Sequence, residues 1–364
     1  MFSEFINNIT DKNYIFYTLF FSAFISYYSY FFIIKISKLL KIEKAPSKKS
    51  QHKKPISHLG GISLVIGTLL LFLFIMLFDK NLFNSSIAYN NLITISFCSI
   101  VIFLTGLVDD LKDLSPFLRL FIQTTISLFL WIQNIRFPDF LNLDFFNIFN
   151  SNIFFSNLLS QTIVVLWIVG LINAINWLDG LDGLATGISI FIAIGLFLIN
   201  LINNQIEYAI FCLLLIGSCL GFLFHNKYPA KILMGDSGSY FLGFSLSTLA
   251  LLTSQNLDPN KTNLVPLFFL FAVPVLDMGR VIFIRILNKK SPFYGDRTHL
   301  HHLFLNKNYS HPQAVVIIYI LTNFSVSISL ILTNFRIGVI WTLISNFLLF
   351  IGYKRIKLTN ALIK

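Results

Sequence analysis

Long apolar runs constrain the fold of this chain more than any other feature of its sequence. About eleven of them are long enough to enter a bilayer as helices. Only 12% of the 364 residues are charged, whereas a soluble domain carries about 25%. We therefore expect an all-α, polytopic integral membrane protein that forms a single domain over residues 1–364. The predicted spans are 14–36, 59–79, 91–108, 117–135, 161–178, 184–202, 207–225, 238–254, 264–287, 314–333 and 337–353.

Basic residues between the spans predict the orientation of the chain. If the N-terminus lies outside, all but five of the 27 lysines and arginines fall on the cytoplasmic side. The positive-inside rule favours that orientation. The same bias accounts for the net charge of +11, so we expect no nucleic-acid partner. The five basic residues left outside are Lys12, Lys80, Arg136, Lys261 and Arg336.

Five polar clusters lie at alternate ends of the spans. The predicted topology puts all five on the cytoplasmic face, a convergence that independent loops would not produce. We expect them to line one polar cleft with a basic rim, because binding sites are concave and contain a few convergent polar groups. The clusters are 51–61, 109–119, 173–182, 226–238 and 296–302.

The central polar cluster follows the apolar run 162–172. Asn173, Asn176, Asp179 and Asp182 recur every three residues, a spacing that sets them along one side of a helix. Polar groups at this depth are costly and mark functional sites by default. The alternative is a polar loop between two membrane helices, which four regularly spaced groups among glycines make the weaker interpretation.

Two further clusters supply carboxylates. Asp109 and Asp110 end the third span, where one can bind a metal while the other orients or deprotonates a nucleophile. Asp236 lies between Gly235 and Gly238 at the start of the eighth span. The N-terminal amides of that helix form an anion site, and a carboxylate beside them would repel phosphate unless a cation is bound. We therefore predict Mg²⁺, with Mn²⁺ as an alternative, because Mg²⁺ takes few protein carboxylates and completes its shell with phosphates and water.

Basic and imidazole side chains complete the candidate set. Arg297, His299, His301 and His302 lie in the largest predicted inside loop. Three histidines can bind zinc, but Arg297 and the lack of a matching ligand pair in the sequence favour a phosphate or sugar ligand held by imidazole donors. The other candidates are Lys53 and His58 before the second span, Arg119 after the third and Asn226 at the end of the seventh.

Five motifs together resemble the polyprenyl-phosphate N-acetylhexosamine-1-phosphate transferases, integral membrane enzymes of the glycosyltransferase 4 type. The resemblance covers about residues 50–302. It implies a reaction in which UDP-HexNAc and polyprenyl phosphate give polyprenyl-diphosphate-HexNAc and UMP, with Mg²⁺. The motifs are Pro55-Ile-Ser-His-Leu-Gly-Gly61, Val108-Asp-Asp110, Asn173-x-x-Asn-x-x-Asp-Gly-Leu-Asp-Gly-Leu-Ala185, Gly235-Asp-Ser-Gly238 and Arg297-x-His-Leu-His-His302.

The resemblance also implies roles for the candidate residues. Asp236 looks like the metal ligand, and Asp109 and Asp110 look like a catalytic pair that also lies at the metal. His58 belongs to a motif in which the family often has Pro where Ser57 stands. Asp179 and Asp182 look like carboxylates of the nucleotide site or of the metal shell. The nucleotide-site amides are Asn173, Asn176 and Asn226; the pyrophosphate and sugar clamp is Arg297, His299, His301 and His302; Lys53 and Arg119 look like basic residues near the site.

The resemblance extends to a branch of the family. His-Leu-His-His and the short link from Asp110 to Arg119 are similar to enzymes that initiate O-antigen, enterobacterial common antigen or teichoic acid, with UDP-GlcNAc as the expected donor. The peptidoglycan-branch phospho-MurNAc-pentapeptide transferase is the alternative. We expect a bacterial cytoplasmic (inner) membrane protein whose active site faces the cytoplasm, and the sequence leaves its oligomeric state open, a homodimer included.

Two other classes of membrane protein also carry acidic residues within apolar segments. A membrane transporter would place charged groups near the bilayer midplane and often shows inverted repeats, whereas the polar clusters here gather at one face. A CDP-alcohol phosphotransferase would need closely clustered Asp-Gly repeats in a smaller protein. Both classes therefore fit the sequence less well than the transferase.

Overall fold

The computed structural model describes residues 12–40, 42–43, 55–78, 85–138, 153–255, 264–291 and 298–362, which form helices joined by turns. The helices, numbered in chain order, are α1 (Lys12–Leu39), α2 (Gly61–Phe78, with a π-helical turn at Ile66–Leu70), α3 (Ser86–Lys112), α4 (Pro116–Ile132), α5 (Ile153–Leu178), α6 (Leu184–Ile202), α7 (Ile206–Asn226), α8 (Gly235–Gln255), α9 (Val265–Leu270), α10 (Ala272–Leu287), α11 (Leu300–Asn306), α12 (His311–Thr333) and α13 (Phe335–Leu362).

Each predicted span coincides with a helical stretch. Among the described residues, eight helices are long and apolar enough to cross a membrane, and α4 is a shorter apolar helix. The prediction of an all-α, polytopic membrane protein is therefore confirmed. Some helix ends were predicted less well: α5 begins at Ile153 rather than near 161, because a helix can continue through polar residues beyond the end of its apolar run.

The predicted ninth span, 264–287, is broken into two helices. α9 ends at Leu270 and α10 begins at Ala272. Pro274 accounts for the break, because proline has no N–H to donate and its ring clashes with the carbonyl of the residue four positions earlier, here Leu270. The single continuous helix expected from the apolar run is wrong in this detail.

Helix α8 lies at the centre of the bundle, and its residues 237–254 are all buried. It packs most extensively against α3 and α5. Gly106 of α3 allows the closest approach, since a Cβ there would lie 2.6 Å from the carbonyl oxygen of Asp236. By contrast, only 17% of the apolar stretch of α1 and 11% of that of α13 is buried. These two peripheral helices therefore present their apolar faces to lipid.

The polar clusters meet at one end of this bundle. The N–H groups of Gly60 and Gly61 donate to the carbonyls of Leu233 and Met234, at 3.0 and 2.9 Å. These bonds join the start of α2 to the start of α8. The ends of α3, α5 and α7 reach the same region through the side-chain contacts described below.

Candidate active site

Asp110 binds the start of α8. Its two carboxylate oxygens accept hydrogen bonds from the backbone N–H groups of Asp236 at 2.9 Å and Ser237 at 3.0 Å. His58, in the segment before α2, binds the end of α3, because its Nε2–H donates to the Asp110 carbonyl at 3.0 Å. Helix N-terminal amides are unsatisfied donors that a carboxylate caps well. The amides that the sequence predicted as a phosphate site are therefore bonded to Asp110, and that detail of the prediction is wrong.

Asp109 joins three elements. Its Oδ2 accepts from Arg119 of α4 at 2.8 Å and from the hydroxyl of Tyr240 of α8 at 3.0 Å, while Oδ1 accepts from the Leu114 N–H at 2.8 Å. The Asp109 side chain is 4% exposed, and a charge this buried is tolerated only when it is paired and hydrogen-bonded. The adjacent carboxylates therefore both connect helices. Asp110 binds the start of α8, and Asp109 binds α3 to α4 and α8.

Asp236 is the half-exposed carboxylate of this group. Its Oδ1 accepts from the Nδ2 amide of Asn176 at 2.7 Å, and the same amide donates to Ser239 at 2.9 Å. Asn173, one turn earlier on α5, donates to Gln123 of α4 at 2.8 Å. The two asparagines therefore orient neighbouring polar groups on α8 and α4.

Asp179 and Asp182 leave the line on which the sequence set them. Helix α5 ends at Leu178, and the chain turns before α6, with Gly183 at a φ of +78°. That left-handed conformation is costly for residues with a Cβ, and glycine adopts it freely just before α6 begins. The prediction that all four polar residues share one side of a single helix is therefore wrong for the last two.

The turn is held by the loop between α7 and α8. Asp182 accepts from the Ala230 N–H at 3.0 Å, and Asp179 lies half-buried at the end of α5. The Asn226 side chain accepts from the Gly183 N–H at 3.1 Å and from Thr186 at 2.9 Å, and it donates to the Ile232 carbonyl at 3.0 Å. With these bonds made, Asn226 positions the turn.

The histidines contact the same turn. His301 packs directly on Gly180, where any Cβ would collide with the imidazole ring. Burial, followed by the neighbouring His302 and His299, lowers the pKa of His301 to about 3. The ring is therefore neutral at physiological pH. His301 and His302 lie with ring centroids 4.2 Å apart.

Trp177 and two residues of α10 were not predicted as part of this region. The Trp177 ring lies edge-on to His299, 5.5 Å between centroids, and the guanidinium of Arg285 lies 4.9 Å from the Trp177 ring centroid. Asp277 accepts from His299 Nδ1 at 3.0 Å. Asp277 and Gln123 are single polar residues inside apolar runs, a signal that marks functional positions in membrane proteins and would have identified both.

Two predicted site residues, Lys53 and Arg297, lie outside the described residues. The remaining candidates lie at the same end of the bundle, where direct contacts bring most of them together. Together they join the ends of α3, α5 and α7 to the starts of α2, α4 and α8 and to the segment before α11. They are His58, Asp109, Asp110, Arg119, Asn173, Asn176, Asp179, Asp182, Asn226, Asp236, His299, His301 and His302.

The donors available to a metal differ among the three predicted ligands. Asp109 and Asp110 use both carboxylate oxygens to accept from protein donors, whereas Asp236 is half-exposed. Within the described part of the chain, no three His, Cys, Asp or Glu side chains form a cluster suited to a metal ion. Mg²⁺ is often held by one or two carboxylates, with phosphates and water completing its shell. Asp236 fits an ion bound in that way, and not one enclosed by protein ligands alone.

An apolar groove of about 530 Å³ runs between α5 and the α9–α10 pair. Its lining includes Leu171 and Met278, which lie close in sequence to the polar residues Asn173 and Asp277. Leu166, on the groove wall, is 68% exposed, so the groove opens to the surroundings of the bundle.

Comparison with known proteins identifies similar sequences. A family model described as Glycosyl transferase family 4 matches residues 92–254. The probable undecaprenyl-phosphate N-acetylglucosaminyl 1-phosphate transferase of Bacillus subtilis (strain 168) is 32% identical over 307 residues, covering 84% of this chain and 80% of the relative. The decaprenyl-phosphate N-acetylglucosaminephosphotransferase of Mycobacterium leprae (strain TN) is 29% identical, covering 82% and 79%. The undecaprenyl-phosphate alpha-N-acetylglucosaminyl 1-phosphate transferase of Escherichia coli (strain K12) is 27% identical, covering 88% and 84%.

Proposed function

The chain belongs to glycosyl transferase family 4 and is a multi-pass membrane transferase, and from this premise we propose its reaction. It transfers N-acetylhexosamine 1-phosphate, with UDP-GlcNAc as the preferred donor, to a polyprenyl phosphate. The products are polyprenyl-diphosphate-HexNAc and UMP. The curated relatives carry names that specify an N-acetylglucosamine phosphate group and a polyprenyl phosphate, and these names support the choice of donor and acceptor.

The observation that carries this proposal is that α5 both lines an apolar groove and bears Asn176, which binds the half-buried Asp236. Asn176 orients the Asp236 carboxylate at 2.7 Å, and the groove lining includes Leu171, five residues before Asn176 in α5. A lipid phosphate has an apolar chain and a charged end, so its site must combine these two environments. A soluble nucleotide sugar can meet that phosphate only at the polar end of the bundle.

The reaction needs positioning and charge neutralisation more than covalent help from the protein. A phosphate monoester is already largely anionic near neutral pH, so an oxygen of the polyprenyl phosphate can attack the phosphorus that bears the sugar. A new P–O bond forms there, the bond to the bridging oxygen breaks, and UMP leaves with that electron pair. We favour this direct attack over a covalent intermediate, because Asp109 and Asp110 are occupied by protein donors.

The protein residues then have separate tasks. Asp110 holds the start of α8, His58 binds the Asp110 carbonyl, Asp109 and Arg119 hold α3 against α4, and Asn176 orients Asp236. The segment containing His299, His301 and His302 lies against the other side of the site and would contact the diphosphate and sugar. Mg²⁺, or Mn²⁺ in its place, would be held by Asp236 and would neutralise phosphate charge.

The experiment uses purified full-length protein with polyprenyl phosphate, Mg²⁺ and a panel of UDP-sugars, with UMP release as the measurement. We expect the fastest turnover with UDP-GlcNAc and none without the lipid phosphate. Turnover with UDP-MurNAc-pentapeptide alone would assign the chain to the peptidoglycan branch instead. Release of UMP without any lipid phosphate would contradict the acceptor.

The place of this reaction in the cell follows from its product. A polyprenyl-diphosphate-HexNAc is the starting point of a polymer built on a lipid carrier, so we propose that the enzyme initiates O-antigen or a related cell-surface polysaccharide. We also propose that it lies in the bacterial cytoplasmic membrane with its site facing the cytoplasm. The distribution of basic residues between the spans supports that orientation.

A further inference from the structure

Asp277 of α10 is a buried carboxylate outside the motifs of the candidate site. Its side chain is 1% exposed, and a carboxylate in such a position is expensive unless it is fully bonded. It accepts from the Leu300 N–H at 2.8 Å, from Arg280 at 3.1 Å and from His299 Nδ1 at 3.0 Å. All three donors belong to α10 or to the histidine segment.

The two carboxylate oxygens of Asp277 accept hydrogen bonds from different parts of the protein. Oδ1 accepts from the Leu300 N–H and from Arg280, and Arg280 also donates to the Thr298 carbonyl. These bonds fix the backbone that leads into α11. Oδ2 accepts from the His299 ring. A purely structural anchor would need only the Oδ1 bonds.

The Oδ2 bond fixes the orientation of the His299 ring. A carboxylate is an acceptor, so Nδ1 carries the hydrogen, and Nε2 on the opposite side of the imidazole points away from Asp277. The ring lies edge-on to Trp177, at 5.5 Å, and parallel to His301, at 5.7 Å. Trp177 directly follows Asn176, which orients Asp236, so the imidazole lies beside the same segment as the half-exposed carboxylate.

We propose that Asp277 is a positioning residue for the transfer, acting through His299. It presents Nε2 of His299 to the diphosphate of the UDP-sugar and stabilises the imidazolium that meets the charge on the departing UMP. A carboxylate behind a histidine performs this task in other enzymes by fixing the tautomer and supporting the positive charge. The turnover test of this inference rests on the proposed function, whereas the test of the His299 tautomer does not.

Asp277→Asn separates the two tasks. The donors at Oδ1 require an oxygen there, so the new amide NH₂ must occupy the position that faces His299. The ring then has to accept at Nδ1 and carry its hydrogen on Nε2, and it loses the carboxylate that supports its charge. The backbone bonds to Leu300 and Arg280 are retained, so the protein should still fold.

The first test measures UMP release by Asp277→Asn, His299→Gln and the double variant, with Asp139→Asn as the matched control. Asp139 follows α4 in the sequence, past the end of that helix opposite to Arg119, so its substitution should leave turnover unchanged. We expect Asp277→Asn to lower kcat about 10- to 100-fold, the range for orienting carboxylates, with a smaller change in KM. In the His299→Gln background the same substitution should cost less than about threefold, because residues that act as a unit are not additive.

The second test records ¹⁵N NMR spectra of histidine-labelled protein in detergent. The resonance missing from His299→Gln identifies His299, which should carry its hydrogen on Nδ1 in the wild type and on Nε2 in Asp277→Asn. If the wild type releases no UMP from any UDP-sugar, the proposed function fails while this measurement still tests the role of Asp277.

Three results would overturn the inference. They are an unchanged His299 tautomer in Asp277→Asn, turnover of Asp277→Asn within about twofold of wild type, and an equal loss with and without His299. If Asp277→Asn does not fold, His299→Gln decides alone. Wild-type kcat in a folded His299→Gln protein would leave Asp277 with nothing to position.

Discussion

At the residue scale, the hydrogen-bond partners of a carboxylate indicate its task better than the residue type does. Asp109, Asp110 and Asp236 were predicted as one metal-binding and catalytic group. The structure gives Asp109 and Asp110 protein donors for both oxygens and leaves Asp236 half-exposed. Three of those donors lie on α8, between 126 and 131 residues away in sequence, so spacing along the chain could not reveal them. Whether these residues act on substrate stays a prediction.

The first prediction concerns Asp236→Asn. The amide keeps the size of the side chain and an oxygen to accept from Asn176, but it removes the charge that would hold Mg²⁺. We expect a folded, membrane-inserted protein whose turnover falls at least about a hundredfold, roughly 2.7 kcal/mol on the barrier. The measurement is UMP release across a Mg²⁺ titration.

Asp139→Asn is the control for that substitution, because it makes the same change after α4 in the sequence, past the end of that helix opposite to Arg119. If Asp236 were only a helix cap, asparagine would replace it well. Turnover of Asp236→Asn close to that of the control, with an unchanged Mg²⁺ dependence, would remove Asp236 from the site. Activity that survives EDTA, or returns only with Zn²⁺, would count against a hard divalent cation such as Mg²⁺.

At the element scale, the apolar runs predicted where helices lie but not how they end. The run 264–287 is continuous in hydrophobicity, and only the position of Pro274 four residues after Leu270 explains the break between α9 and α10. Similarly, a three-residue spacing suggested one helix through Asp182, whereas the chain turns after Leu178 and Gly183 takes a left-handed conformation. A proline that restricts the backbone and a glycine that frees it therefore explain the two departures from the pattern.

The second prediction concerns the groove between α5 and the α9–α10 pair. Gly170 lines it, and a Cβ at that position would meet only Met278, at 3.6 Å. Gly170→Leu should therefore insert a side chain into the groove without disturbing the packing of α5. If the groove holds the polyprenyl chain, KM for a long polyprenyl phosphate should rise about tenfold, which corresponds to roughly 1.4 kcal/mol of binding, while kcat with a short, water-soluble acceptor should be unchanged.

Gly279→Leu is the matched control for the groove. Gly279 is exposed on α10, next to Met278, and has nothing within 4 Å of a built Cβ. It does not line the groove, so the same enlargement there should leave both acceptors unaffected. Equal effects of the two substitutions, or equal effects of Gly170→Leu on long and short acceptors, would mean that the lipid chain binds elsewhere.

At the scale of the whole molecule, composition predicted the class and motifs predicted the family. An apolar chain with few charges can satisfy its backbone in a bilayer only as helices or a closed barrel, and the helical periodicity and length of the runs favoured helices. The convergence of the polar clusters followed from the alternation of span ends. The sugar could not be predicted, because N-acetylhexosamines differ by the orientation of single hydroxyls, which no motif encodes.

The third prediction is the orientation in the membrane, which decides which compartment supplies the donor. A UDP-sugar is charged and does not cross a bilayer, so the end of the bundle with the polar site must face the side where the nucleotide sugar is made. The distribution of basic residues predicts that this end is cytoplasmic.

Two exposed serines lie at opposite ends of their spans. Ser291 follows the end of α10, and Ser86 stands at the start of α3. The native cysteines Cys98, Cys212 and Cys219 are buried and should react slowly. In intact cells, an impermeant thiol reagent should label Ser86→Cys and should label Ser291→Cys only after the membrane is permeabilised. Labelling of Ser291→Cys from outside, with protection of Ser86→Cys, would invert the topology and put the polar site on the side that lacks its proposed donor.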